Sequence, residues 1–112
     1  MIKYYVVPHE EKIVGVLAGT QYDVINKIEK MCGDLFVVNY NKYKIPNLFR
    51  EVVKTHDGDV FDVEVGKQLV KKKIMERYYR VHDTKVAEFY KDLSVKHDKI
   101  AEYIEKNSSV KA

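Results

Sequence analysis

The sequence predicts an α+β domain in which a small antiparallel sheet, in the order ββαββ, is followed by two C-terminal helices or one long bent helix. Three observations support this fold class. Up to about residue 54, runs rich in β-branched and aromatic residues alternate with segments that contain glycine or proline. After Gly66 the chain contains neither glycine nor proline, and its apolar residues recur at helical spacing. The stretch between them, residues 52–69, is therefore the joint at which strands give way to helix.

The first two strands are predicted to form a hairpin. Residues 2–7 and 13–17 are rich in β-branched and aromatic side chains, and a proline-containing turn separates them. Two more strands are predicted at residues 35–40 and 48–54, again with a turn between them. Because short connections suit antiparallel neighbours, we expect all four strands to pair in an antiparallel sheet.

A short helix is predicted between the second and third strands, over residues 21–31. Thr20, followed three residues later by Asp23, is typical of a helix N-cap, because short oxygen-bearing side chains satisfy the free N–H groups of the first turn. We expect Gly33 to end the helix. The apolar residues between these signals recur at helical spacing: Val24, Ile25, Ile28 and Met31.

The joint contains the signals for the start of a second helical region. Asp59 is the predicted N-cap, with Asp62 in the first helical turn. Carboxylates there accept hydrogen bonds from backbone N–H groups and suit the positive end of the helix dipole. We expect Phe61 to fill the core and Gly66 to let the helix approach the sheet closely. These four residues are the predicted structural site of the joint.

Two apolar stripes mark the helical region after the joint. The first contains Val70, Ile74, Tyr78 and Val81, and the second contains Val86, Tyr90, Leu93, His97, Ile100 and Ile104. The step of five residues between the stripes rotates the apolar side off its face. Either the helix breaks at residues 82–84, with Asp83 or Thr84 as a new cap, or one continuous helix changes the packing partner of its stripe. We favour the break, which predicts two helices.

The chain length predicts one domain. With 112 residues, we expect a single unit at residues 1–106 and a frayed polar tail at residues 107–112. No apolar run reaches the roughly 18 residues of a membrane span, and the first residues lack the pattern of a signal peptide. The single cysteine, Cys32, cannot form a disulfide within the chain and fits a reducing compartment. These features predict a cytoplasmic protein that does not enter a membrane.

The charge is polarised about the joint. The whole chain has a formal net charge of +3, but residues 51–66 carry one base and five acids, whereas residues 67–80 carry six bases and one acid. Such asymmetry is informative about binding partners rather than about fold. The helix that begins at the joint is therefore the candidate binding surface.

The candidate binding residues are the bases and interleaved tyrosines of this helix: Lys67, Lys71, Lys73, Arg77, Tyr78, Tyr79 and Arg80. Lysine and arginine reach phosphates or acidic side chains, and tyrosine rings offer contact area and stacking. In the alternative interpretation, the basic side chains lay their stems along the apolar stripe and keep their charges in water. The sequence leaves a protein partner and a nucleic-acid partner open, and we favour a protein partner.

A homodimer seam is one interpretation of the second apolar stripe, in which His97 would set the register. The seam would contain Val86, Tyr90, Leu93, Ile100 and Ile104. The alternative is that the stripe packs on the chain's own sheet, which we favour because a small sheet needs a cover. We expect Phe89 and Tyr103 on the outer face of the same helix, available to a partner.

Three histidine-aspartate pairs raise the hypothesis of a metal-dependent hydrolase: His56-Asp57, His82-Asp83 and His97-Asp98. Metal ligands must converge on one cavity, whereas His56 lies at a turn after a strand and His97 lies in an apolar stripe. The sequence also lacks a glycine-rich phosphate loop, a nucleophile elbow and a HExxH pattern. We therefore predict no catalytic residue, no metal site and no cofactor.

The joint resembles a motif in small, uncharacterised proteins of phages and prophages of Gram-positive bacteria. The shared pattern is His56-x-x-Asp59-x-Phe61-Asp62-x-x-x-Gly66-x-x-Leu69. In those proteins, too, strands lead into an acidic turn, then Phe-Asp, and then a basic helix with an early glycine. Asp57 stands where the similar proteins often have proline. The resemblance implies an origin in a phage or mobile element and carries no activity over to this chain.

Together these observations predict a phage-encoded, non-enzymatic accessory protein that binds and modulates a host or phage protein. The resemblance places it in the cytoplasm of an infected or lysogenic bacterium. Two alternatives stay open: nucleic-acid binding by the basic helix at residues 67–80, and the metal-dependent hydrolase. The first two interpretations share their residues, so they differ in partner rather than in site.

Overall fold

The computed structural model describes residues 1–32 and 39–110. In these ranges the elements are β1 (Ile2–Val7), β2 (Lys12–Ala18), α1 (Asp23–Cys32), β3 (Leu48–Lys54) and α2 (Val63–Val110). Short 3-10 helices occupy Pro8–Glu10 and Tyr40–Tyr43. The predicted α+β class is confirmed, because a small antiparallel sheet is followed by a long C-terminal helix. The frayed tail at residues 107–112 stays a prediction.

The three strands form an antiparallel sheet in the order β1-β2-β3, with β2 in the centre. Tyr4 lies opposite Gly15, which in turn lies opposite Glu51. The predicted hairpin and the predicted strand at residues 48–54 are therefore confirmed. The two connections differ: a single turn joins β1 to β2, whereas α1 lies between β2 and β3.

The connection between α1 and β3 contains the third predicted strand, at residues 35–40. Residues 33–38, which include the predicted helix stop Gly33, lie outside the described residues. Where the description resumes, Tyr40–Tyr43 is a 3-10 helix. Tyr40 is therefore helical and not the end of a strand.

The start of α1 is fixed differently from the prediction. The Thr20 hydroxyl donates a hydrogen bond to the carbonyl oxygen of Pro46, so it does not cap the helix. The backbone N–H of Asp23 donates to the Thr20 carbonyl oxygen at 3.1 Å. Thr20 is buried, and its hydrogen bond to Pro46 connects the start of α1 to the segment that leads into β3. The apolar side of α1 is buried as expected, except that Met31 is exposed.

Asp62, rather than Asp59, caps α2. Its Oδ1 accepts a hydrogen bond from the backbone N–H of Val65 at 3.2 Å, and its carbonyl oxygen accepts one from Gly66 at 2.9 Å. Asp59 lies in the turn before the helix, where its N–H donates to the His56 carbonyl oxygen at 3.1 Å. Both aspartates have the side chain that a cap needs. Asp62 caps the helix because it directly precedes the first helical residue, Val63, whereas Asp59 still belongs to the turn.

One continuous helix forms α2, so the predicted break at residues 82–84 is wrong. The Thr84 hydroxyl donates to the carbonyl oxygen of Arg80 at 2.7 Å, which is the bond that a threonine inside a helix makes one turn back. The 48 residues of α2 span about 70 Å at a rise of about 1.5 Å per residue. The longest dimension of the molecule is 81 Å, and α2 accounts for most of it.

The first half of α2 crosses one face of the sheet at two glycines. A Cβ atom on Gly66 would lie 2.4 Å from Ile13 Cδ1, and a Cβ atom on Gly15 would lie 2.1 Å from Val70 Cγ1. Because larger side chains would push the helix away, glycine permits the close approach that the sequence predicted for Gly66. Phe61 packs against the same core and is half-buried.

Beyond the sheet, α2 packs against α1 and against the 3-10 helix at Tyr40–Tyr43. Val86 and Phe89 are buried there, and the Phe89 ring meets the Tyr43 ring edge-on at a centroid distance of 5.6 Å. Phe89 was expected on the outer face, and this prediction is wrong. The change of packing partner, from sheet to α1, explains the five-residue step that suggested a break.

Candidate binding surfaces on the long helix

The seven candidate residues of the basic segment do not form one surface. They lie around α2, in which each residue is rotated by about 100° from the one before it. The Lys67 ammonium lies 5.8 Å from the centre of the Tyr4 ring, and Lys71 lines a cavity together with Met1 and Leu17. The charges of Lys67 and Lys71 therefore lie beside the sheet and not on the outward side of the helix.

Tyr78 joins the two helices. Its hydroxyl donates to Asp23 Oδ2 at 2.6 Å, and its ring meets the Phe49 ring edge-on at a centroid distance of 5.6 Å. Burial, followed by the hydrogen bond to Asp23, raises the pKa of the Tyr78 hydroxyl well above its usual range. The hydroxyl therefore stays protonated and holds α2 against the start of α1. As a contact for a partner, Tyr78 is half-buried and already engaged.

Arg77 is held in part by the sheet. Its guanidinium lies over the Phe49 ring, with 5.6 Å between Cζ and the ring centre, and its Nη1 lies 3.5 Å from Glu51 Oε1. The Arg77 side chain is about half exposed, so solvent screens this ion pair and its contribution to stability is small. The pair nevertheless reduces the positive charge that the basic segment presents to a partner.

Lys71 and Arg77 are exposed as well as engaged with the sheet or its cavity, whereas Lys73, Tyr79 and Arg80 are exposed and have none of those contacts. Lys73 and Arg80, seven residues apart, share one face of the helix. Tyr79 is 53% exposed, and the centre of its ring lies 5.4 Å from that of Tyr78. Fewer of the candidate residues are exposed and also without a contact to the sheet than the composition of the segment suggests.

A long exposed surface belongs to the far end of α2, residues 94–110, which we call the helical arm. Every residue from Ser94 to Lys106 is exposed. Apolar side chains share this exposure: 46% for Ile100, 57% for Ile104 and 69% for Tyr103. The exposure of Tyr103 agrees with its predicted position on the outer face. Apolar groups that a partner helix would bury are thus in contact with water.

The predicted homodimer seam is divided between the body of the molecule and the arm. Val86 is buried and Leu93 is half-buried in the chain's own core, but this part of α2 packs on α1 and the 3-10 helix and not, as the favoured interpretation had expected, on the sheet. The Tyr90 hydroxyl donates to Met31 Sδ at 3.1 Å, while about half of the Tyr90 side chain is exposed. The last two residues of the seam, both isoleucines, lie on the arm.

Sequence reasoning missed a polar cluster around Asp92. The Lys42 ammonium donates to Asp92 Oδ2 at 2.6 Å, and the Tyr43 hydroxyl donates to the same oxygen at 2.5 Å. The hydrogen bond from Lys42, followed by that from Tyr43, lowers the pKa of Asp92. The cluster fastens the 3-10 helix at Tyr40–Tyr43 to α2. Because its partners are about fifty positions apart in the chain, no local pattern indicates it.

The histidine-aspartate pairs do not converge. His56 lies at the joint, His82 lies in the middle of α2, and His97 lies on the arm. His82 Nδ1 lies 3.1 Å from Oδ1 of its neighbour Asp83, and its ring is 5.6 Å from that of Tyr78. Within the described residues, no group of three histidine, cysteine, aspartate or glutamate side chains is placed to hold a metal ion.

Comparison of this chain with protein-family models, curated proteins and solved structures found no match. Across residues 1–32 and 39–110, no helix has both the length and the apolar character needed to cross a bilayer. The function must therefore be inferred from the geometry of the molecule, which offers Lys73, Tyr79 and Arg80 on α2 together with the apolar arm.

Proposed function

We propose that this chain is a non-enzymatic binding module whose helical arm docks on a helix of a host or phage protein. The observation that carries the proposal is the continuation of α2 past the body, with Ile100 and Ile104 about half exposed. Apolar side chains on adjacent turns of an exposed helix are the usual anchors for a partner helix. The proposed activity is occupancy of a partner's surface, without a chemical step.

The sequence of the arm supports a helix as the partner. Its apolar stripe continues from Leu93 through His97 and Ile100 to Ile104, in steps of four, three and four residues. This alternation is that of two helices that pack along a common seam. Most of the stability of a helix in a protein comes from the packing of its apolar side. A partner helix would therefore stabilise the arm as well as bind it.

The charge along α2 indicates which partner would fit. From Ser94 to Lys106 the arm carries three lysines and three acids, so its flanks are neutral overall. Nearer the body, Lys73 and Arg80 present positive charge to solvent. A partner that packs an apolar stripe on the arm and places acidic residues toward the body would match both regions. Opposite charges would speed the encounter and fix the orientation.

The phage origin in this proposal has separate support. It rests on the resemblance of residues 56–69 to small proteins of phages and prophages. The single cysteine fits the reducing cytoplasm of a bacterial host. On this proposal, the partner is a host or phage protein in an infected or lysogenic cell, and binding modulates its action.

Nucleic-acid binding by the basic helix is the second candidate. It is carried by Lys73 and Arg80, which share an exposed face. The support is weaker than the charge of residues 67–80 suggests, because Arg77 pairs with Glu51 and Tyr78 bonds to α1. If this candidate is right, the affinity for nucleic acid falls steeply with increasing salt and with the removal of Lys73 and Arg80.

A pull-down from bacterial lysate tests the proposed function with three tagged forms: wild type, the double variant Ile100→Glu/Ile104→Glu, and the control Val95→Glu. Val95 is 48% exposed on the same arm, but it lies on the opposite side of the helix from the isoleucines. We expect a partner that resists nuclease to be retained by wild type and by the control, and to be lost from the double variant. Retention by the double variant would contradict docking through the arm.

Light scattering on the same three forms shows whether the partner helix is a second copy of this chain. If wild type and the control are dimers and the double variant is a monomer, the partner is a second copy of this chain. Circular dichroism of each form checks that the substitutions leave the helix content unchanged, since all three positions are exposed.

A further inference from the structure

The sheet has a second face, opposite α2. Side chains alternate along a strand, and Ile13, Leu17 and Phe49 point toward the helix, where they are buried. The intervening residues therefore point to the other side, which we call the open sheet face. Tyr5 is 54% exposed and Leu48 is 50% exposed on this face. Neither feature of the proposed function, the arm or the outward side of α2, belongs to it.

The basic and acidic side chains of the strands lie on different faces of the sheet. Their four basic residues, Lys3, Lys12, Arg50 and Lys54, all lie on the open sheet face, whereas their one acidic residue, Glu51, lies on the helix side. In the chain as a whole, bases outnumber acids only 20 to 17. The open sheet face is therefore far more basic than the average of the chain.

The strand register places an apolar row at the centre of this face. Tyr5 lies opposite Val14, which lies opposite Val52. Val14 is buried between its neighbours, while the Tyr5 ring is exposed at the β1 edge of the row. An exposed aromatic ring beside a flat apolar surface is a platform on which another ring can stack.

The basic residues lie in the two rows that flank this platform. Lys3 and Arg50 occupy one row, on the two outer strands, and Lys12 and Lys54 lie next to each other in the other row. Each basic row is about 7 Å from the central row, and the outer strands are about 10 Å apart. The positive charges therefore surround the platform on both sides.

Three of the four bases have no acidic partner at salt-bridge distance, although Glu10 also attracts Lys54 over a longer distance. Lys12 Nζ lies 2.5 Å from Glu10 Oε2 in the hairpin turn, which neutralises this lysine. In the part of the chain that the structure describes, Lys3, Arg50 and Lys54 form no ion pair. Lysines on edge strands discourage aggregation in many proteins, but that role does not explain why bases of all three strands share one face.

We infer that the open sheet face binds single-stranded nucleic acid, with a base stacked on the Tyr5 ring and phosphates against Lys3, Arg50 and Lys54. Aromatic side chains on an exposed sheet bind single strands in this way, and basic residues around them supply affinity that does not depend on sequence. A duplex keeps its bases stacked on one another, so it would use the charges but not the ring. The inference is independent of docking through the arm.

Fluorescence anisotropy with a labelled oligothymidine single strand tests the inference. Contact with three phosphates gives an expected rise in Kd of about twentyfold between about 50 and 200 mM salt. For the double variant Lys3→Ala/Arg50→Ala, which leaves one contact, we expect weaker binding and a rise of only about threefold over the same range. For Tyr5→Ala we expect a Kd about tenfold higher than that of wild type, because the stacking platform is removed.

The matched control is Lys27→Ala/Lys30→Ala, which removes the same charge from exposed positions of α1. We expect its Kd to stay within about twofold of wild type, because long-range charge effects are screened. A third pair, Lys73→Ala/Arg80→Ala, tests the basic helix, and binding that depends on this third pair and not on Lys3 and Arg50 would overturn the inference in favour of the basic helix. Equal affinity for a duplex of the same length, equal competition by polyglutamate, or no binding at the lowest salt would also overturn it.

Discussion

The Tyr78 hydroxyl donates a hydrogen bond to Asp23 Oδ2 at 2.6 Å and thereby joins the long helix to the first residue of α1. Tyr78→Phe removes this bond and keeps the ring packing. We expect the free energy of unfolding, measured by urea denaturation, to fall by about 1 to 2 kcal/mol. Tyr79→Phe is the matched control because Tyr79 is exposed. An equal loss in both variants would contradict this role for Tyr78.

The same hydroxyl gives an expectation for alkaline pH. Because the pKa of Tyr78 is raised in the folded chain above its ordinary value of 10.0, the unfolded chain loses this proton first as the pH rises. The contribution of Tyr78 to the free energy of unfolding is therefore complete below about pH 10 and is lost above it. We expect the thermal midpoint to decline above about pH 10, and to decline less steeply in Tyr78→Phe. A decline of the same steepness in the variant would rule out this linkage.

Asp92 gives the opposite expectation, at acid pH. Because its pKa is lowered in the folded chain, its contribution to the free energy of unfolding is present above the ordinary value of 3.8 and is lost as the pH falls through the folded-state value. We expect wild type to unfold at a higher temperature than Asp92→Asn at neutral pH, and the two to converge in acid. Asp98→Asn, on the exposed arm, is the control. An advantage of wild type that persists in acid would show that the carboxylate charge is not its source.

The two packed glycines should differ in their tolerance of alanine. At Gly15, the new Cβ would meet the stiff, branched side chain of Val70, whereas at Gly66 it would meet only the flexible end of Ile13. Alanine also favours a helix over glycine by about 1 kcal/mol, which offsets part of the clash at Gly66. We expect losses in the free energy of unfolding of about 3 kcal/mol for Gly15→Ala and about 1 kcal/mol or less for Gly66→Ala.

A double-mutant cycle checks the cause of the larger loss. Val70→Ala alone should be destabilising because Val70 is fully buried. In combination with Gly15→Ala it should cost less than the sum of the two single changes, since the smaller side chain makes room for the new methyl group. Strictly additive losses would mean that the clash lies elsewhere.

Hydrogen exchange should separate the arm from the rest of α2. Amides of the helix that crosses the sheet, around the buried residues Val70 and Ile74, should exchange only by larger opening of the fold. Amides from Val95 to Lys106 should exchange much faster, because their side chains are exposed and the helix end frays. Exchange read by mass spectrometry on the intact chain measures both. Equal protection along the whole helix would contradict this division.

The features that the sequence predicts well are determined by residues that are close together in the sequence. Alternating β-branched residues indicate the hairpin, and helical spacing places Val70 and Ile74 on the buried side of α2. The role of Gly66 follows from its position just inside the helix. In each case, local conformation and burial favour the same arrangement, so a short window of sequence contains the necessary information.

Except for the local choice of Asp59 over Asp62 as the cap of α2, the errors arise from contacts between distant residues. Thr20 has the chemistry of a cap, but Pro46, twenty-six positions away, takes its hydrogen bond. The five-residue step in α2 suggested a break because spacing alone does not show that α1 lies on the other side of the helix. Phe89 was assigned to the outer face for the same reason, whereas it packs on Tyr43.

The candidate sites show the same limit. Composition identifies a basic segment, but only the fold reveals that Glu51 on β3 lies beside Arg77. The open sheet face was not predicted at all, because Lys3 and Arg50 become neighbours of one platform only through the pairing of three strands. Strand pairing joins residues that lie far apart in the sequence, so no short window of sequence shows which residues become neighbours.

Because α2 is continuous from Val63 to Val110, its length determines the distance between the sheet and the arm. With a partner helix bound along the arm, α2 would fix both the distance and the direction between the sheet and that partner. Seven residues inserted after Ser94 would move a bound partner outward by about 10 Å and restore nearly the same angular phase, whereas two would swing it to the opposite side. On the proposed function, the number of residues in α2 would therefore set the position of the partner relative to the sheet.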